Sequence, residues 1–263
     1  MSDAPPVLVT REGGVVHVTL NRPARRNAIG GGMGEALDAL IAGLRQDPSA
    51  RVVVLRGAGG HFCAGLDLTE VAASPAEQQA RNRVLGARYL ALSELPQVVI
   101  AAVEGACHAG GLGFACAADI AFASADARFC APEVQRGLVP AQILPWLVRR
   151  MGRAQATRLV LEAAVVDAAA ALRMGLLHEV ATDRAALDAL VARTVARVMQ
   201  GGPVALGETK ALLSALGALA PEGYADAAAG AFGRTVTGAE AAEGIAAFRE
   251  KRKAAWASDS VIP

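Results

Sequence analysis

Val98-Val99-Ile100-Ala101-Ala102-Val103 runs directly into Glu104-Gly105-Ala106-Cys107-His108-Ala109-Gly110-Gly111 and then into Leu112–Ala118. The first six residues are a continuous apolar run, the pattern of a strand buried on both faces. The next eight form a glycine-containing loop, and the last seven read as an apolar helix. An earlier segment has the same design. Arg51–Gly57 is a β-branched run ended by glycine, Gly59-Gly60-His61-Phe62-Cys63-Ala64-Gly65 is a loop, and a polar stretch starts at Asp67.

Glycine lets backbone approach a ligand closely. A helix start presents unpaired N–H groups and a partial positive charge. Two such loops converging on one point would hold a developing oxyanion. Either loop alone reads as an ordinary turn. Ala109-Gly110-Gly111-Leu112-Gly113 lacks the G-x-G-x-x-G spacing, which argues against a nicotinamide or flavin site.

Moving outward, Val7–Thr10 and Val15–Leu20 predict a hairpin around Glu12-Gly13-Gly14. Met33–Leu44 has helical spacing, and Gln79–Leu95 reads as a helix stopped by Pro96. Asp119–Ala123 and Arg128–Phe129 read as short strands before the turn Ala131-Pro132-Glu133. Leu144–Met151, Ala154–Leu161, Ala168–Met174, Leu187–Met199, Pro203–Leu219 and roughly 239–256 read as helices. Alternation of strand and helix predicts an α/β fold with mainly parallel strands over residues 1–199. Residues 200–263 are expected to form a helical layer or assembly element.

The chain has 263 residues, 53% apolar and 19% charged, a globular composition. Lys and Arg total 26 against 25 Asp and Glu, so no nucleic-acid or anionic-membrane partner is expected. Cys63, Cys107, Cys116 and Cys130 form no C-x-x-C pair and have no histidine at ligand spacing. They read as buried thiols in a reducing compartment, with no metal. The N-terminus shows no basic patch followed by an apolar stretch, and no apolar run approaches the roughly 20 residues of a bilayer span. A soluble cytoplasmic protein is expected.

Five stretches, taken in order, resemble the crotonase (enoyl-CoA hydratase/isomerase) family. They are Leu20-Asn21-Arg22-Pro23 with Asn27; His61 through Leu68; Ala101–Gly105 through Gly110-Gly111 to Asp119-Ile120; Pro132-Glu133 with Gly137-Leu138 and Pro140; and Phe248-Arg249-Glu250-Lys251-Arg252-Lys253. The resemblance implies a spiral of β-β-α units with a C-terminal helical trimerisation region, a homotrimer or hexamer, and an acyl-CoA substrate with no further cofactor. It implies an oxyanion hole from the N–H groups of Ala64 and Gly110, with Glu133 as the acid–base residue. Hydratases of the family commonly carry a second glutamate where this chain has Gly113.

Further roles are implied in the same way. Arg25 and Arg26 lie in the loop that lines CoA's adenine and phosphates, and Asp67 and Leu68 follow the first oxyanion loop. Phe248 and Lys251 share a helix face that in the family often serves a neighbouring subunit. Gln142 either binds a substrate carboxylate or caps the next helix, and His108 either touches the acyl chain or packs. Gly113-Phe114 with Gly137–Ile143 looks like bacterial methylglutaconyl- and isohexenylglutaconyl-CoA hydratases, Gly113 leaving room for a β-branch. The expected activity is hydration of a 2-enoyl-CoA. The alternatives are a 3,2-enoyl-CoA isomerase and a non-catalytic acyl-CoA-binding member.

Overall fold

A computed structural model describes residues 4–70, 75–216 and 238–256, apart from the side chains of Pro75, Phe248 and Arg249. Strand β1 (Val7–Glu12) and β2 (Val15–Leu20) form the predicted antiparallel hairpin. β2 then pairs in parallel with β3 (Val52–Gly57), β3 with β4 (Val98–Val103), β4 with β6 (Ile120–Ser124), and β6 with β9 (Glu179–Ala181). The result is a six-stranded sheet of order β1-β2-β3-β4-β6-β9. A second sheet holds β5 (Ala106–His108), β7 (Arg128–Cys130) and β8 (Val166–Asp167) in the order β5-β7-β8.

Successive residues of a strand point to opposite faces, and the core divides accordingly. Val53, Leu55, Val99, Ala101 and Val103 enter a large cluster with helices α1 (Met33–Arg45), α2 (Pro75–Ser93), α3 (Gly110–Ala117) and α4 (Leu144–Glu162). Val52, Val54, Val98, Ile100 and Ala102 face the other way, against Leu187, Leu190, Val191 and Val195 of α6 (Arg184–Val198). Burial on both faces is why β3 as far as Leu55, and all of β4, are apolar rather than alternating.

The two helices expected from Leu144 and Ala154 are present within the segment α4, separated at Gly152, whose φ of 75° and ψ of 161° are not helical. α5 (Ala168–Arg173), α7 (Pro203–Ala215) and α8 (Ala239–Glu250) complete the helices among the described residues. None of these described helices is long and apolar enough to cross a membrane.

Candidate active site

The two glycine loops do meet. Phe62 N–H donates to Glu104 O at 2.8 Å, Cys63 N–H to Ala106 O at 3.0 Å and His108 N–H to Cys63 O at 2.9 Å, zipping one loop onto the other. Asn27, fully buried, fixes the base of the first loop. Its amide donates to Ala58 O at 2.9 Å and His61 O at 2.6 Å, and its Oδ1 accepts from Arg22 N–H at 2.9 Å. This explains why an asparagine belongs to the motif without touching substrate.

Gly65 has φ +92°, and a Cβ there would lie 2.6 Å from Ala109 Cβ and 3.1 Å from Gly110 N. Only glycine gives both that conformation and that approach. Gly110 is the first residue of α3, so its N–H has no acceptor within the helix. Ala109 before it has φ 48° and ψ −119°, a region that L residues rarely occupy. Its N–H bonds to Cys130 O at 2.9 Å and holds that strain in place.

The expectation for Ala64 does not survive. Its N–H donates to Arg26 O at 3.0 Å and is engaged. Ile29 N–H donates to Gly65 O at 2.7 Å, and Asp67 N–H donates to Ile29 O at 3.0 Å. These two bonds bracket Leu66, whose N–H finds no acceptor among the described residues and follows the glycine lying against Gly110. The available pair is therefore Leu66 and Gly110.

Glu133 opens a short 3-10 turn, Glu133–Arg136, after the buried Ala131 and Pro132. Its carboxyl is half-buried, and Oε2 is shut from solvent with no hydrogen-bond partner among the described residues. Burial pushes its pKa above the ordinary glutamate range, against the pull of its own backbone N–H and of Arg136. His108 Nε2 is likewise buried with no hydrogen-bond partner among the described residues. Burial, then Arg26, Arg136 and His61, lower the His108 pKa and favour the neutral ring.

Gly113 is not an opening for substrate. A Cβ there would lie 2.7 Å from Tyr89 Cε1 and closer still to Cζ, so the tyrosine ring fills the space. Tyr89 is completely buried, packs edge-on against Phe114 with ring centroids 5.0 Å apart, and donates its O–H to Gly110 O at 2.9 Å. Sequence reading missed it because nothing local marks a tyrosine on α2 as part of a site built by α3.

Other expectations are also corrected. Gln142 Nε2 donates to Asn82 Oδ1 at 2.8 Å, with the side chain lying on Gly86 of α2, so the amide is committed to packing. Asp67 accepts from Thr69 Oγ1 at 2.7 Å and pairs with Arg22 at 3.1 Å. These bonds, Thr69 foremost, pull its pKa down, and its carboxylate organises the loop. Arg25 and Arg26 are exposed, and Leu68 is exposed beside a groove of about 480 Å³ that also touches Ile29 and Leu66. Lys251 is exposed with φ 55° after α8. The Phe248 side chain lies outside the described part. The four cysteines are free and buried, burial raising the thiols of Cys63 and Cys116 to about 12.

The profile of the enoyl-CoA hydratase/isomerase family matches residues 10–259, nearly the whole chain. The chain belongs to this family. It is an enzyme of the crotonase superfamily, and its two sheets form a crotonase-type fold. Pseudomonas aeruginosa AtuE, a solved structure, is 43% identical with a TM-score of 0.94 over 97% of this chain and 100% of its own. The carnitinyl-CoA dehydratase of Proteus mirabilis is 33% identical over 94% of this chain and 97% of that protein. The mevalonyl-coenzyme A hydratase SIDH of Beauveria bassiana is 34% identical over 92% and 91% respectively.

Proposed function

We propose that this crotonase hydrates the 2,3 double bond of an enoyl-CoA thioester, with one glutamate moving the protons. The observation that carries this is the Glu133 carboxyl, half-buried beside the paired loops with an unpartnered oxygen and a raised pKa. The N–H groups of Leu66 and Gly110 hold the thioester oxygen as it gains negative charge, and each such donor is worth about 3–4 kcal/mol of barrier. As carboxylate, Glu133 takes a proton from water, which attacks C3. As acid, it returns the proton to C2.

A substrate carrying a β-branch or a distal carboxylate, of the glutaconyl type, is part of this proposal. The similarity to a carnitinyl-CoA dehydratase and a mevalonyl-coenzyme A hydratase supports chemistry at a substituted C3. One observation favours a second reading. Tyr89 occupies the place of the second carboxylate, and a single glutamate suffices to shuttle a proton between C4 and C2 in a 3,2-enoyl-CoA isomerase.

Following 2-enoyl thioester absorbance decides between them. Loss of absorbance from a 2-enoyl-CoA is hydration, and gain from a 3-enoyl-CoA is isomerisation. Glu133→Gln is expected to lose at least about two decades of rate while still binding CoA thioesters. Near-normal turnover in that variant would overturn the assignment.

A further inference from the structure

We propose that Arg136, one turn beyond Glu133 and next to His108, receives a second carboxylate carried on the acyl part of the thioester. This rests on the enoyl-CoA reading of the site and names the residues that would select its substrate.

In a 3-10 helix, side chains three residues apart eclipse one another. Glu133 and Arg136, the ends of one such turn, therefore share a face. The register of β5 on β7 sets His108 opposite Cys130, three residues before Glu133, and Ala109 N–H bonds to Cys130 O. Arg136 thus stands beside the reacting centre and near His108, and its charge acts on both groups.

Of the other arginines near this part of the fold, Arg26 lies in the loop assigned to CoA's phosphates and three more are engaged. Arg22 holds Asp67 and Glu70, Arg88 holds Asp38 through two bonds of 2.7 and 2.8 Å, and Arg150 holds carbonyls at the end of α3. Arg136 is exposed and has no hydrogen bond or acidic ion pair of its own among the described residues. His108 Nε2 is buried with no hydrogen-bond partner among the described residues. The neighbourhood holds the guanidinium groups of Arg26 and Arg136 against the single carboxyl of Glu133. A second anion corrects that imbalance.

In a glutaconyl skeleton the distal carboxyl carbon is two bonds from C3, within reach of a long side chain one turn from Glu133. Guanidinium suits a carboxylate by its paired N–H donors. The other source of negative charge is CoA's phosphates, which the pantetheine arm keeps away from the thioester and toward the Arg25–Arg26 loop.

Calorimetry with saturated, unreactive thioesters tests this. The wild type is expected to bind glutaryl-CoA about tenfold or more tightly than butyryl-CoA, the gain of a charge-assisted bond. Arg136→Leu is expected to abolish that preference, and Arg136→Lys to keep part of it. No preference in the wild type, or an unchanged preference in Arg136→Leu, overturns the proposal. So does Arg136→Leu weakening free CoA as much as glutaryl-CoA, since phosphate is then its partner. These binding ratios do not depend on turnover, so a failed hydration assay removes the hydratase reading and leaves this comparison standing.

Discussion

Glu133 is a carboxyl placed where burial favours its neutral form. Its folded pKa lies above its unfolded value, so its contribution to stability is fully present below the unfolded pKa and is lost as pH rises through the folded one. Glu133→Gln should therefore raise the melting temperature at pH 8. The gain should vanish in acid. An equal gain at pH 4 and pH 8 would mean that the carboxylate is not the cause. Gly113 makes the opposite case. Gly113→Ala drives a methyl into the Tyr89 ring and should destabilise by about 1–3 kcal/mol, as overpacking does. Denaturant unfolding checks this, and combining it with Tyr89→Leu should recover much of the loss. The sequence announced Glu133, Gly110 and the missing second carboxylate, because those rest on motif order. It did not announce Leu66 in place of Ala64, since the deciding bond goes to Arg26 in another loop. Nor did it announce Tyr89, whose meaning comes only from packing against α3.

Helix α3 carries the site and is clamped at both ends. Tyr89 holds the Gly110 carbonyl at its start, and Arg150 donates to the carbonyls of Cys116, Ala118 and Asp119 at its end. Arg150→Met would leave buried carbonyls unpaired and should cost about 2–4 kcal/mol. A melting temperature within a degree of wild type would show that water replaces the guanidinium. The long elements were legible: β3, β4 and α1 each have enough residues to display their period. β5, β8 and β9 were not, because strands of three, two and three residues carry no pattern, and their pairing depends on distant partners. The non-helical Gly152 sits at the boundary between the two helices that the sequence suggested.

At the scale of the whole molecule, α7 has no buried residue, and Val204 and Leu213 are 55% and 58% exposed. Lys210 of the same helix is tied to the core, 2.6 Å from Asp119 and 2.5 Å from Gln97 O. A helix anchored by a partly buried cation yet apolar outside is expected to be covered by another copy, in a closed symmetric assembly. Sedimentation at micromolar concentration should show an oligomer, with a stable monomer as the contrary result. The expected helical interface from residue 200 includes 217–237 and 257–263, which lie outside the described residues.

The zipped loops also bear on how the chain reaches its native state. The site draws on Ile29, Leu66, Tyr89, Gly110 and Glu133, each in a different segment, joined across parallel strands whose partners are far apart in sequence. Closing such long loops is the slow part of folding. Helices can form early while the backbone donors remain scattered, so the anion-binding geometry arrives with the last strand pairings. Recovery of activity after dilution from denaturant should then trail the far-ultraviolet helical signal, and a nascent chain would have no partially competent form.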